Sequence, residues 1–564
     1  MKIKIYILAL VASLGILQHC TPKEETLFEK LEANATGIDF VNVVQNTEDF
    51  NIFNYRNFYN GGGVAVGDIN NDGLPDIYFT ANMGENKLYL NKGNMTFEDI
   101  TDKAGVAEAL KWSTGVVMVD INHDNLLDIY VCNAGYQINK GQENALFINN
   151  GDLTFTNKAA EYGLDDNGYS THAAFFDYDL DGDLDMYSLN NSFIPVNTLN
   201  YANNRDLRAE DWPVKDFLKG GGDKLFRNDN GKFVDVSKET GIYGSLIGFG
   251  LGVTVGDVNN DNYPDIYISN DFFERDYLYI NQKNGTFKED LESRMTHTSF
   301  SSMGADMADI NNDGHPEIFV TDMLARDEER LKTTTSFDNH YVYELKREKG
   351  FYHQLMQNTL QLNNQDGTFT DVAYLGNVAA SDWSWGALLF DADNDKNTDI
   401  FVCNGIYHDV IDQDFIDFFA NDVNQKMVLS GEKAKFDNII NNMPSRPIAN
   451  LFFKNKGQLS FDEVGKEMGL DDETFSNGAA YADLDNDGDL DLVVNNLNQP
   501  CGIYKNKANE KKERNKYLKI QLKGDSTNTF AIGAKVHVFI GNEILSKQLH
   551  PARGFQSSTE YPMT

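Results

Sequence analysis

The chain has 564 residues, of which 41% are apolar and 12% aromatic, a composition that fits several folded domains or one large repeat array and excludes a disordered protein. The formal net charge of −38 at pH 7 argues against nucleic-acid binding, because that function needs a basic surface to displace counterions from phosphates. The negative charge is concentrated in one short recurring motif.

The first twenty residues have the pattern of an export signal. A basic start precedes the apolar run of residues 5–17, which is typical of a secretory signal peptide and too short for a comfortable membrane span. Residues 17–20, Leu-Gln-His-Cys, resemble a bacterial lipobox, and the resemblance implies cleavage before Cys20 and a diacylglycerol group on its sulfur. Residues 21–25 are similar to the signal that sends some Gram-negative lipoproteins to the outer face of the outer membrane, although a polar linker is the alternative. We therefore expect a signal peptide over residues 1–20 and a cell-surface lipoprotein anchored through Cys20.

Seven acidic loops follow, each with carboxylate or carboxamide oxygens at positions 1, 3 and 5, a turn residue at position 6 and a carboxylate at position 9. Ca²⁺ needs six to eight oxygen ligands, and alternate residues of a tight loop can supply several of them. The predicted calcium ligands are Asp68, Asn70, Asp72 and Asp76; Asp120, Asn122, Asp124 and Asp128; Asp177, Asp179, Asp181 and Asp185; Asp257, Asn259, Asp261 and Asp265; Asp309, Asn311, Asp313 and Glu317; Asp391, Asp393, Asp395 and Asp399; and Asp483, Asp485, Asp487 and Asp491.

Two other interpretations of these loops compete with metal binding by such a loop. A single Asx-rich turn could simply join two strands of a hairpin, but seven copies favour metal binding. An EF-hand loop is longer, ends in a bidentate Glu and lies between helices, whereas these loops lie between apolar strands. The sixth loop departs most from the pattern, because Lys396 occupies position 6 and brings a positive charge towards the metal.

Each loop and its two strands are followed by a hairpin with an Asn/Gly turn, as in Leu88–Asp99. One unit therefore contains four antiparallel strands, the content of one blade of a β-propeller. The seventh unit lacks its fourth strand, and the segment around Phe28 has the same pattern as the segment around Phe97. We therefore predict an all-β, seven-bladed propeller over residues 21–510, in which residues 26–31 supply the outer strand of the last blade and remove the exposed edge.

Aromatic residues point to a ligand site on the face opposite the acidic loops. Three long insertions, 192–222, 324–358 and 405–450, follow second strands, which end on that face. The passages between blades add residues expected near the axis of the same face. A concave face lined by aromatic and polar groups suits a glycan or protein ligand. The candidate ligand residues are Trp112, His172, Phe249, Trp383 and Trp385. Packing of the insertions onto the propeller would also explain these residues.

The loops resemble the FG-GAP/VCBS repeats of integrin α-subunit propellers and of bacterial surface proteins, and this resemblance implies a calcium-binding propeller. The stretches 515–524 and 531–538 resemble the start of the ASPIC/UnbV domain, which follows such propellers in cartilage acidic protein and its bacterial relatives. We therefore expect a partial β domain over residues 515–564, in a chain truncated before that domain ends. A few strands without a closing partner would make a poor independent core.

The leading functional hypothesis is a non-enzymatic, calcium-stabilised binding or adhesion lipoprotein of the cell surface. The alternative is a polysaccharide lyase or hydrolase on a propeller scaffold, although no metal-protease motif or nucleophile elbow stands out. The candidate acid and base groups of this enzyme hypothesis are Asp382, His172, His340, His353 and His408. A third hypothesis is a structural subunit of a larger envelope complex.

Overall fold

The computed structural model describes residues 26–134, 141–194, 204–272, 274–334, 338–419, 439–511, 514–524, 527–541 and 543–564. Within these ranges the chain is mostly β and forms seven antiparallel sheets that share one order of strands. The first strands of consecutive sheets lie side by side, and the first strand of the last sheet contacts that of the first sheet. The predicted all-β, seven-bladed propeller is therefore confirmed.

Each blade is given from its innermost to its outermost strand. The strands are, in blade 1, Val64–Gly67, Asp76–Phe79, Lys87–Asn91 and Phe97–Asp99; in blade 2, Ser113–Val119, Asp128–Asn133, Ala145–Asn149 and Phe155–Asn157; in blade 3, Ser170–Phe176, Asp185–Asn190, Lys224–Asn228 and Phe233–Asp235; in blade 4, Gly250–Gly256, Asp265–Asn270, Tyr277–Asn281 and Phe287–Glu289; in blade 5, Ala305–Ala308, Glu317–Val320, Thr359–Asn363 and Phe369–Asp371; in blade 6, Ser384–Phe390, Asp399–Asn404, Leu451–Asn455 and Phe461–Glu463; and in blade 7, Ser476–Ala482, Asp491–Asn496, Gly502–Asn506 and Phe28–Lys30.

The two ends of the repeat array meet in blade 7. Phe28–Lys30 pairs antiparallel with Gly502–Asn506, with Phe28 opposite Asn506. Phe28 is 1% exposed and lies in the same core cluster as Phe452 of blade 6. The strand from the N-terminal end thus completes the blade that the C-terminal repeats leave one strand short.

Short helices connect the outer strand of one blade to the next blade. Several end at a glycine in the left-handed conformation, such as Gly105 with φ +74°, which glycine adopts without steric cost. The α-helices are Ala33–Thr36, Thr101–Ala104, Ala159–Tyr162, Ser237–Thr240, Leu291–Arg294, Glu328–Thr334, His340–Glu348, Gln413–Phe418 and Gly465–Met468; the 3₁₀ helices are Arg56–Tyr59, Ala209–Asp211, Asp216–Leu218 and Ala508–Glu510. Among the described residues, none of the helices has the length and apolar character that a membrane crossing requires.

Two short strand pairs each join a passage between blades to the connection between the second and third strands of a blade: Thr298–Ser299 pairs with Gln354–Leu355 of blade 5, and Glu473–Thr474 pairs with Ile448–Ala449 of blade 6. The remaining strands belong to the C-terminal residues. They are Lys535–Ile540, which pairs with Glu543–Gln548, and Ala552–Arg553, which pairs with Ser557–Ser558.

The C-terminal β segment finds its missing partners on the propeller itself. Ser558 pairs with Ala65 of the innermost strand of blade 1, and this pairing extends that sheet to six strands. The backbone N–H of Val116 in blade 2 donates to the Gln556 carbonyl at 3.1 Å, and that of Gly554 donates to Ala305 in blade 5 at 3.1 Å. Contacts with innermost strands of several blades place residues 552–558 along the propeller axis, where they form an axial plug.

The axial plug is buried as deeply as the blades. Phe555 is 0% exposed and its ring centroid lies 5.1 Å from that of Trp385 in blade 6. Arg553 donates to the buried Asp306 carboxylate at 2.8 Å, and Tyr561 donates its hydroxyl hydrogen to the Met118 carbonyl at 2.7 Å. These contacts explain how a segment with too few strands for its own core is nevertheless ordered.

We predict that Phe555→Ala lowers the free energy of unfolding by about 3–5 kcal/mol, since it removes a buried aromatic side chain from a packed core. Thermal unfolding followed by circular dichroism would measure the loss. Phe539→Ala is the matched control, because Phe539 belongs to the same C-terminal segment but is 71% exposed. Equal effects of the two substitutions would contradict the placement of Phe555 on the axis.

Candidate metal and ligand sites

The first aspartate of each acidic loop organises the loop backbone. In blade 1 the backbone N–H of Asp72 donates to Asp68 Oδ1 at 3.2 Å, and that of Gly73 donates to Asp68 Oδ2 at 2.7 Å. The same two bonds recur in blade 6, where Asp391 accepts from Asp395 and from Lys396. Position 6 has positive φ in both loops, +87° at Gly73 and +78° at Lys396. The Lys396 side chain pairs with Glu543 of the C-terminal hairpin at 2.5 Å, which gives its charge a partner outside the loop.

Position 4 of each loop also has positive φ, a feature that the sequence analysis missed. In five of the loops this residue is an asparagine whose side-chain amide donates to the position-6 carbonyl of the next loop, and Asn486 closes the ring by donating to Gly73 at 2.6 Å. The five donors are Asn71, Asn260, Asn312, Asn394 and Asn486. The signal in the sequence was the repeated Asn immediately before the third acidic position.

The carboxylate at position 9 is the most deeply buried member of each loop. Asp76 is 1% exposed and accepts from the backbone N–H of Ile69 at 3.0 Å and from that of Asn91 at 2.8 Å. Equivalent pairs of bonds recur, for example, at Asp128 and Asp491. Each of these carboxylates therefore joins the start of its loop to the third strand of the same blade.

Burial of these position-9 carboxylates is unfavourable for the ionised form. Burial raises the pKa of Asp76, Asp265 and Glu317 to about 8, and that of Asp128 to about 7. The nearby carboxylates at positions 1 and 5 add smaller effects in the same direction. A divalent cation beside them would favour ionisation and offset the cost of burial.

In blades 1, 2, 4, 5, 6 and 7 the asparagine that ends the third strand connects neighbouring blades. Asn149 of blade 2 donates its side-chain N–H to the carbonyl of Ile69, at position 2 of the first loop, at 2.8 Å. Asn91 likewise reaches Leu484 of the seventh loop, and Asn455 reaches Ile310 of the fifth. The sequence analysis interpreted this asparagine as a turn residue, whereas its side chain holds the loops of adjacent blades at a fixed distance.

The oxygen atoms of three loops are grouped closely enough to hold a metal ion. In each group the possible ligand atoms lie within 4.8 Å of one another, and the groups are Asp177, Asp179 and Asp185; Asp391, Asp393 and Asp399; and Asp483, Asp485 and Asp487. Several buried carboxylate oxygens in the loops have no hydrogen-bond partner among the described residues: Asp177 Oδ1, Glu317 Oε1, Asp393 Oδ1 and Asp485 Oδ1. Hard carboxylate oxygens without partners are the donor set that Ca²⁺ prefers, so the loops fit the ion that they were predicted to bind.

The C-terminal segment covers part of the same rim. Lys519 Nζ lies 2.8 Å from Asp483 Oδ2, and Lys535 contacts Asp257. Thr529 donates its hydroxyl hydrogen to Asp120 Oδ2 at 2.5 Å, and Thr527 donates to the Gly182 carbonyl. The acidic rim is therefore a docking surface for the chain's own C-terminal residues.

At the opposite end of the strands lies a mainly apolar cavity of about 310 Å³. Its walls come from the segment before blade 1 and from the connections of blades 4–6, and the lining residues are Ile52, Phe53, Arg56, Asn57, Tyr59, Asn60, Asp271, Phe272, Met303, Trp383, Trp385, Ile406, Val410, Phe415, Ile416, Phe419 and Met443. Trp385 lies near the start of the innermost strand of blade 6, whereas the acidic loop of that blade follows the strand's last residue, Phe390. The cavity and the metal loops therefore lie at opposite ends of the blades.

Polar groups in this cavity are few. The Arg56 guanidinium lies over the rings of Phe249 and Phe272, 4.4 Å and 4.6 Å from their centroids. Trp383 Nε1 and Arg56 Nε are buried and have no hydrogen-bond partner among the described residues. Burial raises the pKa of Asp271 to about 7, an effect that the neighbouring Arg56 opposes. Two buried N–H donors on cavity-lining side chains thus have no protein acceptor among the described residues.

The five predicted ligand residues fall into separate environments. Trp383 and Trp385 line the cavity, and the ring of Phe249 packs against the Arg56 guanidinium. Trp112 is 4% exposed and packs against Phe50, Tyr55 and Phe58. His172 is 0% exposed in the innermost strand of blade 3, and burial lowers its pKa to about 4. Among the lining residues that the sequence analysis missed, Phe53 and Arg56 precede the first repeat and carry no periodic signal.

The candidate acid and base groups of the enzyme hypothesis have structural partners in most cases. Both oxygens of Asp382 accept from Arg330 at 2.7 Å. His353 Nδ1 lies 2.6 Å from the Tyr343 hydroxyl, and His408 packs against Tyr59 and Tyr407. His340 is exposed at the first residue of helix His340–Glu348. The predicted signal peptide and the lipidation site Cys20 lie outside the described residues.

Family models match three parts of the chain. The FG-GAP-like repeat model matches residues 68–131 and 257–320, which contain loops of blades 1, 2, 4 and 5. The ASPIC and UnbV model matches residues 524–564, which include the axial plug. The predicted resemblance to FG-GAP repeats and to an ASPIC/UnbV segment is confirmed.

Curated relatives match a short stretch. Cartilage acidic protein 1 of Xenopus tropicalis is 42% identical over 74 residues, which are 13% of this chain and 11% of that protein. The mouse protein (Mus musculus) of the same name is 39% identical over 69 residues, 12% of this chain and 11% of its own length. The chain thus aligns with about a tenth of the length of these relatives.

Solved structures give weaker likenesses. One, described as the structural basis of specific recognition of non-reducing terminal N-acetylglucosamine by an Agrocybe aegerita lectin, is 14% identical, covers 77% of this chain and 88% of that chain, and has a TM-score of 0.37. A mutant of AofleA from Arthrobotrys oligospora is 9% identical, covers 76% and 95%, and has a TM-score of 0.33. At these scores neither structure bears on the fold or the ligand of this chain.

We predict that Ca²⁺ raises the melting temperature and that the rise is larger at pH 8 than at pH 6. Without metal, the folded chain keeps protons on position-9 carboxylates whose pKa values burial raises to about 7–8, whereas the unfolded chain releases them near pH 4. The folded state then binds more protons, so the stability of the metal-free protein falls as pH rises through this window. Calcium holds the same groups ionised and removes that dependence.

Differential scanning calorimetry in EDTA and in excess Ca²⁺ at both pH values would measure this effect. Each occupied site adds about 2.7 kcal/mol at a hundredfold excess of ion over Kd. KCl at equal ionic strength is the control, because salt also screens the net charge of −38. A calcium effect that KCl reproduces, or that is equal at both pH values, would contradict the prediction.

Proposed function

For a chain that carries FG-GAP-like repeats and an ASPIC and UnbV segment, we propose a role as a non-enzymatic, calcium-stabilised binding or adhesion protein of the bacterial cell surface. The observation that carries the proposal is the mainly apolar cavity of about 310 Å³ on the face opposite the acidic loops. In this proposal the acidic loops at one rim bind calcium and stabilise the closed propeller, and the pocket at the other rim recognises the ligand. The ligand belongs to the protein or glycan class.

The lining of the cavity supports a ligand with an apolar or aromatic surface that also presents oxygen acceptors. Trp383 and Trp385 offer ring faces, with centroids 6.2 Å apart and planes inclined by 33°. Trp383 Nε1 and Arg56 Nε supply N–H donors that lack partners among the described residues. An acceptor that satisfied them would recover the free energy lost when polar groups are buried unpaired. Sugar faces and aromatic side chains of proteins both meet this description.

The burial of candidate acid and base groups and the ion pairs that they already form argue against the enzyme alternative. General acid–base catalysis needs a titratable group within hydrogen-bond reach of the substrate. Of the candidates, His172 is 0% exposed, and both oxygens of Asp382 already accept hydrogen bonds from the Arg330 guanidinium. Asp271 lines the cavity, but it lies beside the Arg56 guanidinium rather than beside a second carboxylate or a histidine in the described lining.

The proposed location rests on the N-terminal sequence. A basic start, an apolar run and Cys20 in a lipobox-like context suit an outer-membrane lipoprotein. Display on the outer face would bring the cavity to extracellular ligands and the acidic loops to a calcium-containing medium. Metabolic labelling with a radioactive fatty acid, with Cys20→Ser as the unlabelled control, tests the anchor.

We predict that Trp383→Ala weakens binding of the ligand by at least about tenfold, because loss of one stacking and donating side chain from a small pocket removes a large part of the contact free energy. A glycan array and a pull-down from envelope extracts, run with the wild-type protein, would identify the ligand. Calorimetric titration of the two proteins with that ligand would then measure the ratio of affinities.

Tyr374→Ala is the matched control, since Tyr374 is 69% exposed and lies outside the cavity lining. Equal binding by the two variants would contradict the proposed pocket. A polysaccharide-degradation assay runs alongside: turnover of any polymer would favour the enzyme alternative, and a stoichiometric partner from the envelope would favour the structural-subunit hypothesis.

A further inference from the structure

The seven acidic loops fall into two chemical classes. Position 3 is asparagine in the loops of blades 1, 2, 4 and 5 and aspartate in those of blades 3, 6 and 7, at Asp179, Asp393 and Asp485. The residue before the asparagine that ends the third strand divides the blades in the same way. It is aliphatic in blades 1, 2, 4 and 5 (Leu90, Ile148, Ile280 and Leu362) and cationic in blades 3, 6 and 7 (Arg227, Lys454 and Lys505).

The structure brings these two positions together. Lys505 Nζ lies 2.9 Å from Asp485 Oδ2. Lys454 contacts Asp393 and lies 3.3 Å from Asp395 Oδ2 at position 5. In blade 3, Arg227 forms its ion pair with Asp229 and acts electrostatically on Asp179. Each cation therefore faces the loop of its own blade.

In the aspartate-type loop of blade 6 a cation replaces the hydrogen bond that asparagine at position 3 donates to the carboxylate at position 5 in the other class. Asn70 donates its side-chain N–H to Asp72 Oδ2 at 2.9 Å, and Asn122 and Asn311 make the same bond from position 3 to position 5. Aspartate at position 3 has no hydrogen to donate and repels the carboxylate at position 5. In blade 6 the Lys454 ammonium bridges positions 3 and 5 instead.

The bridged carboxylate still faces a metal ion. Asp393 and Asp485 each use Oδ2 for the lysine, while Oδ1 of each is buried and lacks a hydrogen-bond partner among the described residues. Counting positions 1, 3, 5 and 9, a loop with asparagine carries three carboxylates. A loop with aspartate carries four, and its cation reduces the net charge to the same value.

We propose that Lys454 and Lys505 are built-in counter-ions that set the calcium affinity of the aspartate-type loops of blades 6 and 7. Each cation offsets the carboxylate that aspartate adds at position 3, so that the charge counted over positions 1, 3, 5 and 9 matches that of an asparagine-type loop. The same cation also stabilises the conformation of the loop when no calcium is bound. The inference rests on the calcium binding proposed above and adds residues that determine its strength.

Blade 6 offers the simplest test, because the loops of blades 3 and 7 carry a further aspartate at position 7, Asp183 and Asp489. The full-length variants Lys454→Met, Asp393→Asn and the double variant form a thermodynamic cycle. Lys456→Met is the matched control, since Lys456 is an exposed lysine on the hairpin turn of the same blade. Calcium affinity and stoichiometry come from calorimetric titration, and melting temperatures are measured in EDTA.

Removal of the cation alone leaves four carboxylates around the ion. Lys454→Met should therefore raise the affinity of one site about tenfold and lower the melting temperature in EDTA, because the metal-free loop loses its counter-charge. Asp393→Asn alone leaves the lysine facing three carboxylates and should weaken one site by about the same factor. The double variant reproduces the blade 1 arrangement and should return to the wild-type affinity.

Two results would overturn the inference: a double variant whose calcium affinity differs from that of the wild type, or an affinity that Lys454→Met leaves unchanged. Binding of calcium by the wild type together with either of these results would leave the proposed function intact, whereas absence of calcium binding would defeat both. If Lys454→Met does not fold, Lys454→Arg keeps the charge and should match the wild type, and the same cycle is then run with Lys505 and Asp485 in blade 7.

Discussion

The buried carboxylate at position 9 of each acidic loop is the constraint on which the propeller depends. At Asp76 one oxygen accepts from the start of the loop and the other from the third strand, so a single side chain fixes three parts of a blade. Such a group is costly to bury in its ionised form, and its raised pKa expresses that cost. The strongly acidic composition is therefore a property of the blade interior as well as of the surface, and a divalent cation bound at the loop would offset the cost of burying this charge.

Neighbouring blades are joined at the same rim. Asparagine at position 4 reaches the next loop, and asparagine at the end of the third strand reaches the preceding one, as Asn71 and Asn149 do. The position-4 chain is interrupted where His123 and Leu180 replace asparagine in blades 2 and 3. At that interruption Thr527 of the C-terminal segment donates to the carbonyl of Gly182, at position 6 of the third loop. The C-terminal segment thus supplies one donor in place of the asparagine found at position 4 of other loops.

The repeated features of this fold could be predicted from the sequence because they carry a period. Seven copies of the loop, apolar strands on either side and an Asn/Gly hairpin indicated seven four-stranded blades. Features that occur once could not be found in this way. Phe53 and Arg56 line the cavity from a segment before the first repeat, and nothing periodic marks them. The aromatic residues of the inter-blade passages were chosen by type alone, and burial separates Trp383 from His172 in a way that residue type does not reveal. The C-terminal segment was judged by its own strand count, although its partners lie hundreds of residues earlier in the chain.

The axial plug and the residues that follow it contact both ends of the propeller. Glu560 accepts from the backbone N–H of Asp483, the first residue of the seventh loop, at 2.9 Å. Five residues earlier, Phe555 packs against Trp385, which in turn packs against Trp383 in the cavity lining. Buried contacts therefore run without a break from the seventh loop to the lining of the cavity, along a short segment of the chain. Because packed interiors resist compression, this segment holds the two faces of the propeller at a fixed separation.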